Sequence, residues 1–351
     1  MLNRRQVVLG AVLLVATVWL APPAGTALPE RLSDDQFWTL ITESSEPGGS
    51  FRSDNLLSNE LLMQHVIPEL QRSAQPGRAY LGVGPEQNFT YISAVKPSMA
   101  FIVDIRRGNL NLHLLYKALF ELSADRAEFV SRLFSKKRPE GLTSRATASN
   151  LFEAFWDVET GEDLYKANVA AIRAHLTATR KLPLTPDDLR GIETVYHAFY
   201  WYGPIIQYSS MGGGAGNFPT YAQLMTATDA EGVARAYLAS EEQFGFLKDL
   251  HARNMIVPIV GDFAGPKALR AVGRYLKNRD TSVAAFYLSN VEQYLEREGR
   301  RELFCANVAA LPLDGSSTFI RSVRDRNYYT YGTGLISTLG NMAAETRGCL
   351  K

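Results

Sequence analysis

From Leu32 to Trp38 the apolar residues recur with helical spacing, and Glu46-Pro47-Gly48-Gly49-Ser50 breaks that pattern. Ser58 or Asn59 is placed to cap a second helix, whose apolar positions Leu61, Leu62, Val66, Ile67 and Leu70 keep helical spacing up to Gln75-Pro76-Gly77. A short apolar run, Arg78 to Val83, predicts a first strand. The turn Gly82-Val83-Gly84-Pro85-Glu86-Gln87 then opens a helix over Glu86 to Val95. Lys96-Pro97 stops it, and a second apolar run predicts a strand over Met99 to Ile105.

From Asn109 to His251 the pattern is almost wholly helical, carried by Leu112, Leu115, Leu119 and Leu122, then by Leu164 to Leu182 and Leu189 to Tyr202. So long a gap between strands exceeds one crossover helix and predicts a helical insertion. Strand character returns at Met255 to Val260, followed by Gly261-Asp262 and a helix over Pro266 to Leu276. Two more strands are expected, Ser282 to Leu288 and Phe304 to Leu311. Apolar runs without period-two polarity, alternating with helices, signify a sheet buried on both faces. The expected fold is therefore α/β: a doubly wound, mostly parallel, Rossmann-like sheet of about five or more strands with a large helical insertion. The expected organisation is an export signal over 1–27 and the N-terminal helices with the first βαβ unit over 28–110. The insertion follows over 111–250, and the rest of the sheet with the C-terminal tail over 251–351.

Tyr80 to Asp104 carries the most chemistry. Strand, glycine turn, helix and strand end on an acid about 20 residues past the turn, where a ribose hydroxyl needs an acceptor. Gly82 and Gly84 let a ligand approach the backbone, and the helix behind them points its first amides at whatever lies above. A third glycine is absent, and Glu86 at the helix start repels a diphosphate. The turn therefore speaks against NAD or FAD and for a nucleoside ligand without phosphates. The expected ligand-binding set is Gly82, Gly84, Glu86, Asp104 and Asp262.

Gly82-Val83-Gly84 and Asp104 resemble the glycine turn and the ribose-binding acid of the class I S-adenosylmethionine-dependent methyltransferase fold. The resemblance covers two blocks, 55–125 and 250–320, and implies S-adenosylmethionine as cofactor. It implies that Asp262 accepts from an adenine amino group and that Asn290 faces the transferred methyl, with Glu292 as a second catalytic candidate. Tyr80 departs from that pattern: it replaces the acid two residues before the first glycine, leaving the amino-acid end of the cofactor without its expected partner. The block Tyr80 to Ile92, with Phe286-Tyr287-Leu288-Ser289-Asn290-Val291-Glu292-Gln293-Tyr294, also resembles an uncharacterised bacterial family, which implies no established activity. A purely structural reading stays open for Asp262 and Asn290, since both suit helix N-caps.

Tyr196 to Tyr202 is the densest aromatic cluster, and it leads to Ser209-Ser210-Met211-Gly212-Gly213-Gly214. A helix ending this way reads as a lid, with Tyr200 or Trp201 at the mouth of the site, or as plain core. The glycine loop lacks the Lys-Ser/Thr of a phosphate-binding loop. The five histidines are scattered without metal-ligand spacing, so no metal is expected.

Arg4-Arg5, an apolar run from Val7 to Leu20 and the small residues up to Ala27 read as an export signal. At about 14 residues the run falls short of the roughly 20 that span a membrane, though an uncleaved anchor stays open. Asn3-Arg4-Arg5-Gln6-Val7 resembles a twin-arginine signal, with an ordinary positive start as the alternative. A periplasmic or secreted location follows from either. A net charge of +1, from 37 basic and 36 acidic residues, gives no electrostatic case for nucleic acid or anionic membrane as partner. Cys305 and Cys349 are the only cysteines, one bridge or two free thiols. The functional expectation is an exported protein binding a nucleoside-type small molecule such as S-adenosylmethionine, with methyl transfer to an unknown substrate. The alternative is an extracytoplasmic small-ligand-binding protein that keeps the fold without catalysis.

Overall fold

The computed structural model describes residues 27–209, 218–325, 327 and 334–349. The expected export signal, except Ala27, and the Ser210 to Asn217 part of the glycine loop lie outside the described residues. Among the described residues six strands form one sheet: β1 Ala79–Gly82, β2 Met99–Asp104, β3 Ile256–Val260, β4 Val283–Ser289, β5 Thr318–Arg324 and β6 Leu335–Asn341. Their order is β3-β2-β1-β4-β5-β6, parallel throughout except for β6, which runs antiparallel to β5. The chain is thus α/β with a mostly parallel, Rossmann-like sheet.

The helices begin with α1 Asp34–Ser44, α2 Ile67–Ser73 and α3 Gln87–Val95, the last crossing from β1 to β2. Between β2 and β3 come α4 Arg107–Leu122, α5 Arg126–Phe134, α6 Ala148–Trp156, α7 Glu162–Ala174, α8 Pro186–Tyr202, α9 Tyr221–Thr226 and α10 Glu241–Ala252. The chain then adds α11 Ala268–Lys277, α12 Val291–Arg297, α13 Arg301–Ala309 and α14 Met342–Glu345. Among the described residues no helix is long and apolar enough to cross a membrane.

Strands β1, β2 and β3 are buried at every residue, which is why they read as unbroken apolar runs. The strand expected over Phe304 to Leu311 is instead α13. Phe304, Asn307 and Val308 are its buried face, at helical spacing, so the run is an amphipathic helix. Cys305 on this helix is bridged to Cys349, which ties down the C-terminal segment. Ser58 does not cap a helix: the 3-10 turn Met63–Val66 and α2 begin without side-chain caps, and Ser58 turns into the site.

Strand β1 pairs with β2 on one side and β4 on the other, so the chain reverses its direction of winding there. That reversal opens a crevice outside the carboxyl ends of the strands. Gly82 lies opposite Ile102, which puts Gly84 and Asp104 at the same edge of the sheet. The segment 45–60 runs across that edge. The Glu46 amide donates to the Val260 carbonyl at the end of β3 (2.8 Å), and that of Gly49 to Ile105 just past β2 (2.8 Å). The Ser58 amide reaches Glu86 Oε1, beyond β1, at 3.2 Å.

Candidate functional site

A cavity of about 310 Å³ occupies the crevice. Gly84, Asp104, Asp262 and Asn290, four residues expected from four strand ends, line it together. Its walls are aromatic: Phe51 and Tyr294 meet edge to face at 5.3 Å, and Tyr208 faces Phe218 at 5.5 Å. Tyr200 and Trp201 do not line it. Tyr200 stacks on Tyr165 of α7 and Trp201 on His197 of α8, Trp201 being 69% exposed, and the segment beyond α8 contributes Tyr208 and Phe218 instead.

The glycine turn is braced from below. Asn88 Nδ2 donates to the carbonyls of Val83 (2.9 Å) and Pro85 (2.7 Å), while its Oδ1 accepts from the Tyr80 hydroxyl at 3.0 Å. A Cβ on Gly82 would collide with Asn88 Oδ1, so Gly82 serves this brace and does not reach the cavity. Gly84 is different. Its φ of +76° is left-handed and the space above it is open, which suits close approach of a ligand. His113 Nε2 donates to the Gly84 carbonyl at 2.8 Å. Burial holds this imidazole down at about 4, although the carbonyl favours a proton on the ring. The ring is therefore neutral, with Nδ1 bare and unpartnered.

Asp104 ends β2 as expected, but its carboxylate is already held. Arg106 reaches Oδ1 through its backbone amide (2.8 Å) and Nε (3.0 Å), and Oδ2 through a terminal nitrogen (2.8 Å). The same guanidinium donates to the Asp54 carbonyl, binding the overlying segment to the site. Oδ2 keeps capacity for one further donor. Asp262 accepts from the Ala264 amide (2.8 Å) and pairs with Arg300 (2.6 Å); it is not the cap of α11. That helix start is occupied by Glu46, whose Oε1 accepts from the amides of Lys267 (2.8 Å) and Ala268 (2.7 Å). Asn290 stands at the N-cap position of α12 without a side-chain capping bond.

Besides Gly82, two more expected residues fall outside the cavity. Glu86 is fully buried beneath the turn, where burial pushes its carboxyl up to about 8, against the Ser58 amide that favours its charge. It is a neutral acid at neutral pH, with Oε2 unpartnered, and it does not line the cavity. Glu292 is held by Arg321, which also binds Glu345, so it fastens α12 to β5 and α14 and does not line the cavity.

Sequence reasoning missed Glu60. It lines the cavity from the overlying segment at 2% exposure. Oε1 accepts from the hydroxyls of Tyr287 (2.7 Å) and Ser289 (2.7 Å), and Oε2 from Gln87 Nε2 (2.8 Å). Burial and the Glu60 charge hold the Tyr287 phenol well above its ordinary value, so it remains a donor. Ser289 takes a left-handed φ of +50° at the end of β4, a strained backbone that these contacts help hold. No local motif marks Glu60; the one sequence signal was Ser58 and Asn59, polar residues in front of an apolar run.

A comparison with curated proteins finds no match. A family model described as a domain of unknown function (DUF7790) matches residues 56–336, which takes in Glu60, Gly84, Asp104, Asp262 and Asn290. Most of the crevice lining thus falls within the matched region, with Ser50, Phe51, Arg52 and Asn55 just ahead of it, and the chain belongs to that family of domains of unknown function, DUF7790.

Proposed function

We propose that this protein binds a nucleoside-type small molecule in the crevice at the β1/β4 reversal, S-adenosylmethionine being the candidate ligand. The observation that carries the reading is the convergence of Gly84, Asp104, Asp262 and Asn290 on one aromatic-walled cavity of about 310 Å³. That volume lies at the lower end of small-molecule sites and suits a nucleoside better than a dinucleotide. Arg4-Arg5 and the apolar run behind them support an exported protein. Methyl transfer belongs to the same proposal, with Asn290 as the residue nearest that role.

Binding without turnover is the second reading, and specific contacts favour it. Glu292 is spent on Arg321, and three of the donors around Asp104 come from Arg106. Tyr80, where the methyltransferase pattern has an acid, is buried and bonded to Asn88. Calorimetry on the protein lacking residues 1–27, with S-adenosylmethionine, S-adenosylhomocysteine, adenosine and NAD, tests both readings. The proposal expects the adenosyl compounds to bind and NAD to fail. Methyl transfer from bound S-adenosylmethionine to an acceptor separates the enzyme from the binding protein, and binding of none of the adenosyl compounds refutes both.

A further inference from the structure

We propose that Glu60 recognises a positively charged group, an ammonium, on the molecule that enters the cavity. The Glu60 side chain accepts at each of three contacts, from Tyr287, Ser289 and Gln87. All its donors are neutral: a phenol, a serine hydroxyl and a carboxamide. Among the described residues none of its contacts is an ion pair, although it is almost wholly buried. A buried carboxylate without a cation is costly, and a cation from the cavity removes that cost.

The arginines around the cavity do not meet this need. Arg106 is bound to Asp104 and Arg300 to Asp262. Arg52 and Arg324 line the cavity as exposed side chains, Arg52 donating to the Tyr294 hydroxyl at 3.2 Å. Beneath, Gln87 is engaged on both sides of its amide, its Nε2 reaching Glu60 and the Tyr91 hydroxyl (2.9 Å) and its Oε1 accepting from Ser58, with the Tyr287 hydroxyl, whose one proton it shares with Glu60, at 2.8 Å. Glu60 is thus held between Tyr287, Ser289 and Gln87 where it lines the cavity.

The inference deepens the proposed function, resting on it only in that a small molecule enters this crevice. Wild-type protein titrated calorimetrically with S-adenosylhomocysteine and with its des-amino analogue should show the analogue binding about ten- to a hundredfold more weakly. In Glu60→Gln the two should bind alike, both at the weaker level. Equal binding to wild type overturns the inference while leaving the nucleoside reading intact. Should neither nucleoside bind, a thermal-melt comparison of n-butylammonium with n-butanol decides the matter alone. A rise with the amine in wild type and none in Glu60→Gln supports Glu60 as a cation site for another ligand class, and no rise overturns it. Glu60→Gln sets its new amide against that of Gln87 and loses a hydrogen bond; if that prevents folding, the wild-type comparison of each amine with its uncharged counterpart still decides.

Discussion

Arg106 forks onto Asp104, two positions before it, through its backbone amide, Nε and a terminal nitrogen, and both side chains are buried. Removing one partner leaves a buried charge uncompensated, which typically costs about 3–5 kcal/mol. Asp104→Ala should therefore lower stability by roughly that amount in urea unfolding. Adding Arg106→Leu should restore most of it. A single variant as stable as the wild type would show the fork to be energetically idle.

The acid at the end of β2 was legible from the sequence because strand, turn and strand fix its place. Its partner was not, since nothing in Asp104-Ile105-Arg106 says that the arginine folds back. Strand β5 was hidden for another reason. Thr318–Arg324 is interrupted by Arg321, Ser322 and Arg324, is buried throughout only over its first three residues and pairs with an antiparallel edge strand, so it lacks the continuous apolar run that marked β1 to β3. Phe304 to Leu311 failed in the opposite sense: a short apolar run fits a strand and a buried helix face equally well. Glu60 depends on Tyr287, which is 227 residues away, a pairing only the folded chain makes.

The acid beneath the turn gives stability a pH dependence. Burial raises the Glu86 carboxyl from 4.5 to about 8, so the native state keeps a proton that the unfolded chain loses. Its contribution is fully present below about 4.5 and is lost as pH rises to about 8, with a slope approaching 1.4 kcal/mol per pH unit at most. His113 works in the opposite direction: lowered from 6.5 to about 4, its contribution is present above 6.5 and is lost as pH falls toward 4. Between 6.5 and 8 only Glu86 of the two acts. Urea unfolding across that interval should show wild-type stability falling, and Glu86→Gln should flatten the fall. An unchanged slope in the variant would assign the effect elsewhere.

The two glycines of the turn should respond differently to alanine. At Gly82 the new Cβ meets Asn88, whose displacement frees the Val83 and Pro85 carbonyls and the Tyr80 hydroxyl, so a loss of about 2–4 kcal/mol is expected. At Gly84 there is room, and the cost is that of a left-handed alanine, about 1–2 kcal/mol. Chemical denaturation of both variants reads the difference. The reverse order would mean that the brace is not what holds the turn.

Asn290 offers the cleanest separation of binding from folding. Its side chain lines the cavity but forms no capping bond, whereas Asp262 across the cavity is tied to Arg300. Asn290→Ala should therefore change stability by less than about 0.5 kcal/mol. If the carboxamide meets the ligand, the same variant should bind the adenosyl compounds about tenfold more weakly, the loss of one neutral hydrogen bond. Asp262→Ala should behave otherwise, weakening binding and stability together as Arg300 loses its partner. Calorimetry and urea unfolding on the two variants distinguish these patterns. Unaltered affinity in Asn290→Ala would remove this residue from the site and, with it, the argument for a methyl-facing group.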